Sequence, residues 1–68
     1  MHERTGYITS VLLDKRCGFI TSHGDRFYFG AWSLRGMELD DRLEEMRVEF
    51  MPLQYGERWA ASDVHAAP

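Results

Sequence analysis

Two short segments with the alternation of β-strands lie close together in the first half of the chain. They are Cys17–Ser22 and Arg26–Phe29, and His23-Gly24-Asp25 separates them. Glycine accepts a positive φ and an aspartate can hydrogen-bond its own backbone, so this tripeptide favours a tight turn. The pattern therefore predicts a β-hairpin, which limits the fold to one built on an antiparallel pair of strands.

Three further segments are predicted as strands. Gly6–Leu13 is rich in β-branched and apolar residues, and Arg47–Phe50 alternates polar with apolar residues before Met51-Pro52 ends it. Trp59–Val64 follows a turn at Tyr55-Gly56, and we expect residues 65–68 to form a frayed tail.

The long connection between the third and fourth strands, residues 30–45, carries glycines and a cluster of carboxylates. These residues favour a surface loop with one helical turn near Ala31 to Leu34. Leu39 and Leu43 are its predicted apolar anchors.

Five short strands in 68 residues leave no room for a crossover helix. The predicted fold class is therefore all-β, an antiparallel sheet that closes into a small five-stranded barrel of the oligonucleotide- and oligosaccharide-binding (OB) type. In that fold the second and third strands form the usual ligand face. Residues 1–68 are expected to be one domain with its core at about 5–64, and a chain this short buries only about 60% of its unfolded surface.

Several functional classes are not expected. Cys17 is the single cysteine, so the sequence predicts no internal disulfide and favours a cytoplasmic setting. No Cys/His pair has zinc-ligand spacing, so no metal site is predicted. No apolar run approaches the ~20 residues of a membrane span. We find no nucleophile–base arrangement or phosphate loop, so neither an enzyme nor a cofactor is predicted. His2 lies in a terminus, His23 in a turn and His65 in the tail. These three histidines are not expected to share a metal ion.

The aromatic residues of the hairpin admit two interpretations. Phe27 and Phe29 fall on one face of their strand, and Phe19 lies on the preceding strand. If all three rings share a face, they form a platform for bases beside Lys15 and Arg16. Alternatively the rings are simply core, because aromatic residues are favoured in strands whatever the protein does.

The net charge of −3 at pH 7 is unusual for a nucleic-acid binder, but its distribution is uneven. Residues 1–36 hold five basic and three acidic residues, a balance of +2, whereas residues 37–68 hold three basic and eight acidic residues, a balance of −5. The basic half coincides with the predicted hairpin. A solvated surface without a partner is the alternative reading.

From Thr5 to Val64 the chain resembles the cold-shock domain. Asp14-Lys15-Arg16-Cys17-Gly18-Phe19-Ile20-Thr21 is similar to the first ribonucleoprotein-type motif of that family, and Asp25-Arg26-Phe27-Tyr28-Phe29 is similar to the second. Thr5-Gly6-Tyr7-Ile8 resembles the opening strand, and Val48-Glu49-Phe50, Gly56, Ala60-Ala61 and Val64 resemble the closing half.

The resemblance implies a module that binds single-stranded RNA or DNA, as an RNA chaperone or a regulator of transcription or translation. It assigns Lys15 to phosphate contact, Phe19 and Phe27 to base stacking, and Phe29 to the usual histidine position. Arg16, Arg26 and Trp32 would stand at the margins of the site. Gly18, Ile20 and Tyr28 would pack inward.

The chain also departs from the family pattern. Thr9 and Ser10 stand where a lysine and a stacking tryptophan are usual, Cys17 replaces a phenylalanine, and Gly30 replaces a further aromatic. Stacking contributes about 1–3 kcal/mol per base, so these departures predict weakened binding. The alternative function is a protein-interaction or self-association module, a homodimer for example, that uses an apolar face around Phe29 and Trp32.

Overall fold

The computed structural model describes residues 3–68, which form five β-strands. They are β1 (Arg4–Leu12), β2 (Cys17–Ser22), β3 (Asp25–Gly30), β4 (Arg47–Tyr55) and β5 (Arg58–Ala66). The strands close into a barrel in the order β1-β2-β3-β5-β4. The predicted all-β, five-stranded barrel is therefore confirmed.

The closure of the barrel differs from the prediction in one respect. Four of the strand pairs within residues 3–68 are antiparallel, as expected. The pair that joins β3 to β5 is parallel, with Tyr28 opposite Ala60, and a second parallel bridge joins Leu34 to Val64. The long loop after β3 carries the chain across the end of the barrel, so β5 returns alongside β3 in the same direction.

That loop contains short 3-10 turns at Ala31–Ser33 and Asp41–Leu43. The first confirms the helical turn predicted near Ala31 to Leu34. Leu43 is buried in the core and Leu39 packs against it, so both predicted anchors are confirmed. None of the helical segments within residues 3–68 has the length and apolar character needed to cross a membrane.

The last two strands are longer than predicted. Strand β4 continues through Pro52 to Tyr55, and β5 continues to Ala66, so the predicted frayed tail at His65 is wrong. Beyond Phe50, β4 pairs only with β5 among the described residues, and proline is tolerated on such an edge. The two strands therefore extend past the barrel wall as a hairpin.

The turn between β2 and β3 determines which rings are buried. His23 and Gly24 both have positive φ, 52° and 83°, as in a two-residue type I′ turn. This turn pairs Ser22 with Asp25, and the register then places Ile20 opposite Phe27. Residues directly opposite in a sheet share a face, so Phe27 lies on the same face as Ile20.

The predicted exposed platform of Phe19, Phe27 and Phe29 is therefore wrong. Phe27 and Phe29 are 0% and 1% exposed and belong to the core. Phe19 is paired instead with Tyr28, on the outer face of the hairpin. Tyr28, which we expected to pack inward, is 39% exposed.

Phe27 lies at the centre of the core. Its ring packs on that of Phe50 with centroids 4.9 Å apart. The other core side chains come from all five strands and from the loop: Ile8, Ile20, Phe29, Leu43, Val48, Ala61 and Val64. Ser22 is a buried polar residue, and its hydroxyl donates to the carbonyl of Thr5 at 2.7 Å.

We expect Phe27→Ala to lower the free energy of unfolding by about 3–5 kcal/mol, because it removes a fully buried ring and leaves a cavity. Urea denaturation followed by circular dichroism measures the change. Tyr55→Ala is the matched control, since that ring is 65% exposed and its loss should cost about 0.5 kcal/mol or less. Equal destabilisation by the two variants would contradict this assignment of faces.

Candidate functional site

A groove of about 940 Å³ lies on the outer surface between the β2–β3 hairpin and the β4–β5 hairpin. Aromatic side chains form most of its walls. Within residues 3–68 these are Phe19, Tyr28, Trp32, Tyr55 and Trp59, and the buried ring of Phe29 borders the groove from below. Aromatic rings are what bases stack on, so this groove is the candidate functional site.

The groove exists because small residues lie between large ones. Ala60, Ala61 and Ser62 of β5 and Gly30 at the end of β3 line its floor. Trp59 and Tyr55 stand beside them, near the turn that joins β4 to β5. The parallel pairing of Tyr28 with Ala60 brings β3 against this floor.

Several of the rings are open to solvent. Trp32 is 75% exposed, Tyr55 65%, Trp59 40% and Tyr28 39%. Burying apolar surface stabilises a protein by about 25 cal/mol per Å², so rings left in water at this density point to a binding surface. Tyr7 on β1 is also exposed but does not line the groove.

Trp32 reaches the groove because residue 30 is glycine. A Cβ built on Gly30 would overlap the Trp32 indole, so the indole lies directly against the backbone of Gly30. The sequence resemblance marks Gly30 as the loss of an aromatic residue. In the structure, the ring of Trp32 covers that position.

Arg26 stacks on Phe19 at one edge of the groove. The guanidinium carbon lies 4.1 Å from the centroid of the ring, within the range of a cation–π contact. Phe19 in turn meets Tyr28 edge to face, with centroids 5.9 Å apart and planes at 69°. The three side chains therefore form one continuous surface on the outer face of the β2–β3 hairpin.

Trp59 joins the groove to the core. Its ring contacts that of Phe27 at 5.8 Å and 65°, an edge-to-face arrangement. The buried Phe27 thus orients Trp59 while the remainder of the indole is open to solvent. Trp59 therefore has both a packing contact and an exposed surface.

The groove has a positive charge balance and so favours an anion, although the chain as a whole is negatively charged. Arg26 and Arg58 line it, and Glu57 is the one acidic residue among its described lining residues, a balance of +1. The carboxylates of the loop after β3 lie outside it: Glu38, Asp40, Asp41, Glu44 and Glu45. Asp40 accepts from the backbone N–H and the guanidinium of Arg42, which lowers its pKa to about 2.

The structure brings together only part of the predicted site. Phe19, Arg26 and Trp32 all line the groove. Lys15 lies in a 3-10 turn between β1 and β2 and does not line it. Arg16 lines a separate small cleft near Met37. Phe27 is a core residue that does not line the groove, whereas Phe29 borders the groove from below but is only 1% exposed, so it offers little surface to a base or to the alternative self-association face.

Sequence reasoning missed four of the aromatic and basic residues of the groove: Tyr28, Tyr55, Arg58 and Trp59. The two-residue length of the turn at His23-Gly24 was a signal for Tyr28, because it sets the register of the hairpin. The other three flank the turn at Gly56, where β4 meets β5. Their approach to β3 depends on the barrel closure, which no local pattern shows.

Comparisons with known proteins support the fold. The structure is similar to that of Drosophila Unr CSD456, with a TM-score of 0.77 and 22% sequence identity over 98% of this chain. The match spans 27% of the Unr chain. The protein thus has a cold-shock-domain-like fold. No family model and no curated protein sequence matches the chain.

The contact between Trp32 and Gly30 can be tested by fluorescence in a Trp59→Phe background, where Trp32 is the sole tryptophan. We expect Gly30→Ala to displace the indole, since the added methyl group overlaps it. Emission should move to longer wavelength and quenching by acrylamide should increase. Ser33→Ala, at a neighbouring groove residue, should change neither. Unchanged quenching in Gly30→Ala would contradict this packing.

Proposed function

We propose that this protein binds single-stranded nucleic acid in the aromatic groove between the β2–β3 and β4–β5 hairpins. The observation that carries the proposal is the clustering of exposed rings, Tyr28, Trp32 and Trp59 among them, beside two arginines. Rings supply stacking surfaces and arginines supply contacts to phosphates. The cold-shock-domain-like fold is compatible with this use of the outer barrel face.

Unpaired bases suit the groove better than a duplex does. Stacking on protein rings requires bases that are splayed out of their own helix. The rings of Phe19 and Tyr28 stand at 69° to each other, so they offer differently oriented surfaces rather than one flat wall. A flexible single strand can follow such a path, whereas the stacked pairs of a duplex cannot.

Arg26 has two roles in this proposal. Its guanidinium is already stacked on Phe19, so one side of its plane is held by the ring and the other is open to an incoming base or phosphate. Because stacking on Phe19 orients the group before binding, less conformational entropy is lost on contact. Arg58, on the opposite hairpin, supplies the second cation.

Binding of this kind discriminates weakly between sequences, because every base has a face that can stack. A chaperone of RNA or a regulator that covers exposed single strands needs this property. The groove of about 940 Å³ suits a segment of a few nucleotides.

We expect Tyr28→Ala and Trp32→Ala each to weaken binding of an oligonucleotide of about 6–8 nucleotides by about 1–3 kcal/mol. Fluorescence anisotropy of labelled single-stranded RNA and DNA at low salt measures the affinity. Tyr7→Ala is the matched control, because Tyr7 is 53% exposed but lies outside the groove. Circular dichroism should show that all three variants remain folded.

The same experiment distinguishes the alternative function. If no oligonucleotide binds at ~100 μM and sedimentation shows a dimer that Trp32→Ala returns to monomer, the groove is a self-association surface and the proposal fails. Binding that is lost equally in Tyr7→Ala would also contradict it, since the contact would then lie elsewhere on the barrel.

The salt dependence of binding should be shallow. With two arginines in the groove, we expect about one to three phosphates to be neutralised, a slope of about −0.7 to −2 in a plot of log K against log salt concentration. Arg58→Gln should reduce the slope more than Lys15→Gln, because Lys15 lies outside the groove. If Lys15→Gln reduced the slope more than Arg58→Gln, Lys15 would be the phosphate contact and the bound nucleic acid would lie nearer β1.

A further inference from the structure

Three metal-ligating side chains meet on the barrel surface, well away from the groove. Oxygen or nitrogen atoms of Glu3, Glu49 and His65 all lie within 4.8 Å of one another. None of the three lines the groove. No local sequence pattern predicts such a site, because the three residues are far apart in the chain.

The strand register brings them together. Glu49 of β4 is directly opposite His65 of β5 on one side and Thr5 of β1 on the other. Glu3 precedes Thr5 by two residues, so the strand alternation places it on the same face. Side chains directly opposite in a sheet have their Cβ atoms about 4.5–5.5 Å apart, which is the spacing at which two ligands can share one ion.

The side chains of His65 and Glu3 are partly exposed, at 36% and 46%. Nε2 of His65 lies 2.9 Å from a carboxylate oxygen of Glu3, and this hydrogen bond raises the pKa of His65. In the part of the chain that the structure describes, no lysine or arginine forms an ion pair with Glu3 or Glu49. Among the described residues, the one ion pair that either carboxylate makes is that of Glu3 with His65. A metal ion bound at Nε2 of His65 would take the place of the proton there, in a chain of net charge −3.

We propose that Glu3, Glu49 and His65 bind a divalent first-row transition-metal ion of the Zn²⁺ type. Zinc accepts imidazole nitrogen and carboxylate oxygen at about 2.0–2.2 Å, so its ligand atoms lie about 3–3.5 Å apart. Rotation of the exposed Glu3 side chain and of the partly exposed Glu49 side chain closes the difference from the observed spacing. An imidazole ligand favours such an ion over Mg²⁺ or Ca²⁺, which take oxygen ligands.

The bound ion would link the residue that precedes β1 to β4 and β5. The chain has one cysteine and thus no internal disulfide, and many small domains gain stability from a structural metal. An ion that binds the folded barrel and not the unfolded chain raises the melting temperature in proportion to the logarithm of its concentration. The site is independent of the proposed nucleic-acid groove.

Titration of the whole chain with ZnSO4, followed by calorimetry and by thermal denaturation, tests the site. We expect one ion per chain and a rise in melting temperature, and MnCl2 should broaden the amide NMR signals of residues 3–5, 48–50 and 64–66. Glu49→Gln and His65→Gln should each lower zinc affinity at least ~10-fold, since even groups that only orient a ligand change affinity about 10–100-fold. Glu49→Gln breaks no ion pair among the described residues, so it should fold normally.

Three control variants test whether zinc binding depends on the proposed ligands. Glu57→Gln and His23→Gln alter a glutamate and a histidine that lie in turns elsewhere, and both should bind zinc as the unmodified chain does. His2 lies outside the described residues, so His2→Gln is included. Zinc binding that survives Glu49→Gln but is lost in His2→Gln or His23→Gln would overturn the proposal, as would the absence of binding at 1 mM zinc.

Discussion

The two-residue turn at His23 and Gly24 sets the register of β2 against β3, and the rest of the molecule depends on that register. It puts Phe27 opposite Ile20 and Phe29 opposite Gly18, and so gives the barrel its core rings. It also leaves Phe19 and Tyr28 together on the outer face. A slip of one residue would exchange the two sets, because side chains alternate between faces with a period of two.

Packing inside the barrel and the surface outside it are coupled through a few contacts. Phe27 packs on Phe50 within the core and also meets the edge of Trp59, which lines the groove. Gly18 permits a close approach, since a Cβ there would lie 2.7 Å from the Phe29 ring. Gly30 does the same for Trp32 on the outside. Small residues thus decide where the large rings can lie.

The distribution of charge separates two surfaces on one small domain. The groove has arginines at its edges and few carboxylates, which suits a polyanion. At the other end of the β4–β5 hairpin, Glu49 and His65 join Glu3 in a patch that suits a cation. The chain, whose net charge is −3, therefore has two surface regions with opposite charge preferences, one for an anion and one for a cation.

Much of the fold could be predicted from the chain alone. Strand alternation and turn residues indicated five strands, because these are local properties of each segment. A closed barrel followed from their number and shortness, which leave no room for a crossover helix. Leu43 was correctly predicted as an anchor of the long loop. The candidate site was predicted only in part: Phe19, Arg26 and Trp32 lie in the groove, whereas Phe27 and Phe29 are buried.

The sequence by itself determined the number of strands and the β2–β3 hairpin, because alternation and turn residues are local. Only the tertiary structure decided which rings face water and which distant residues become neighbours. The parallel pairing of Tyr28 with Ala60 brings Trp59 and Arg58 to the β2–β3 hairpin, and the pairing of Glu49 with His65 aligns them with Glu3. Such contacts arise from closing the barrel, a condition on all five strands at once that no single segment encodes.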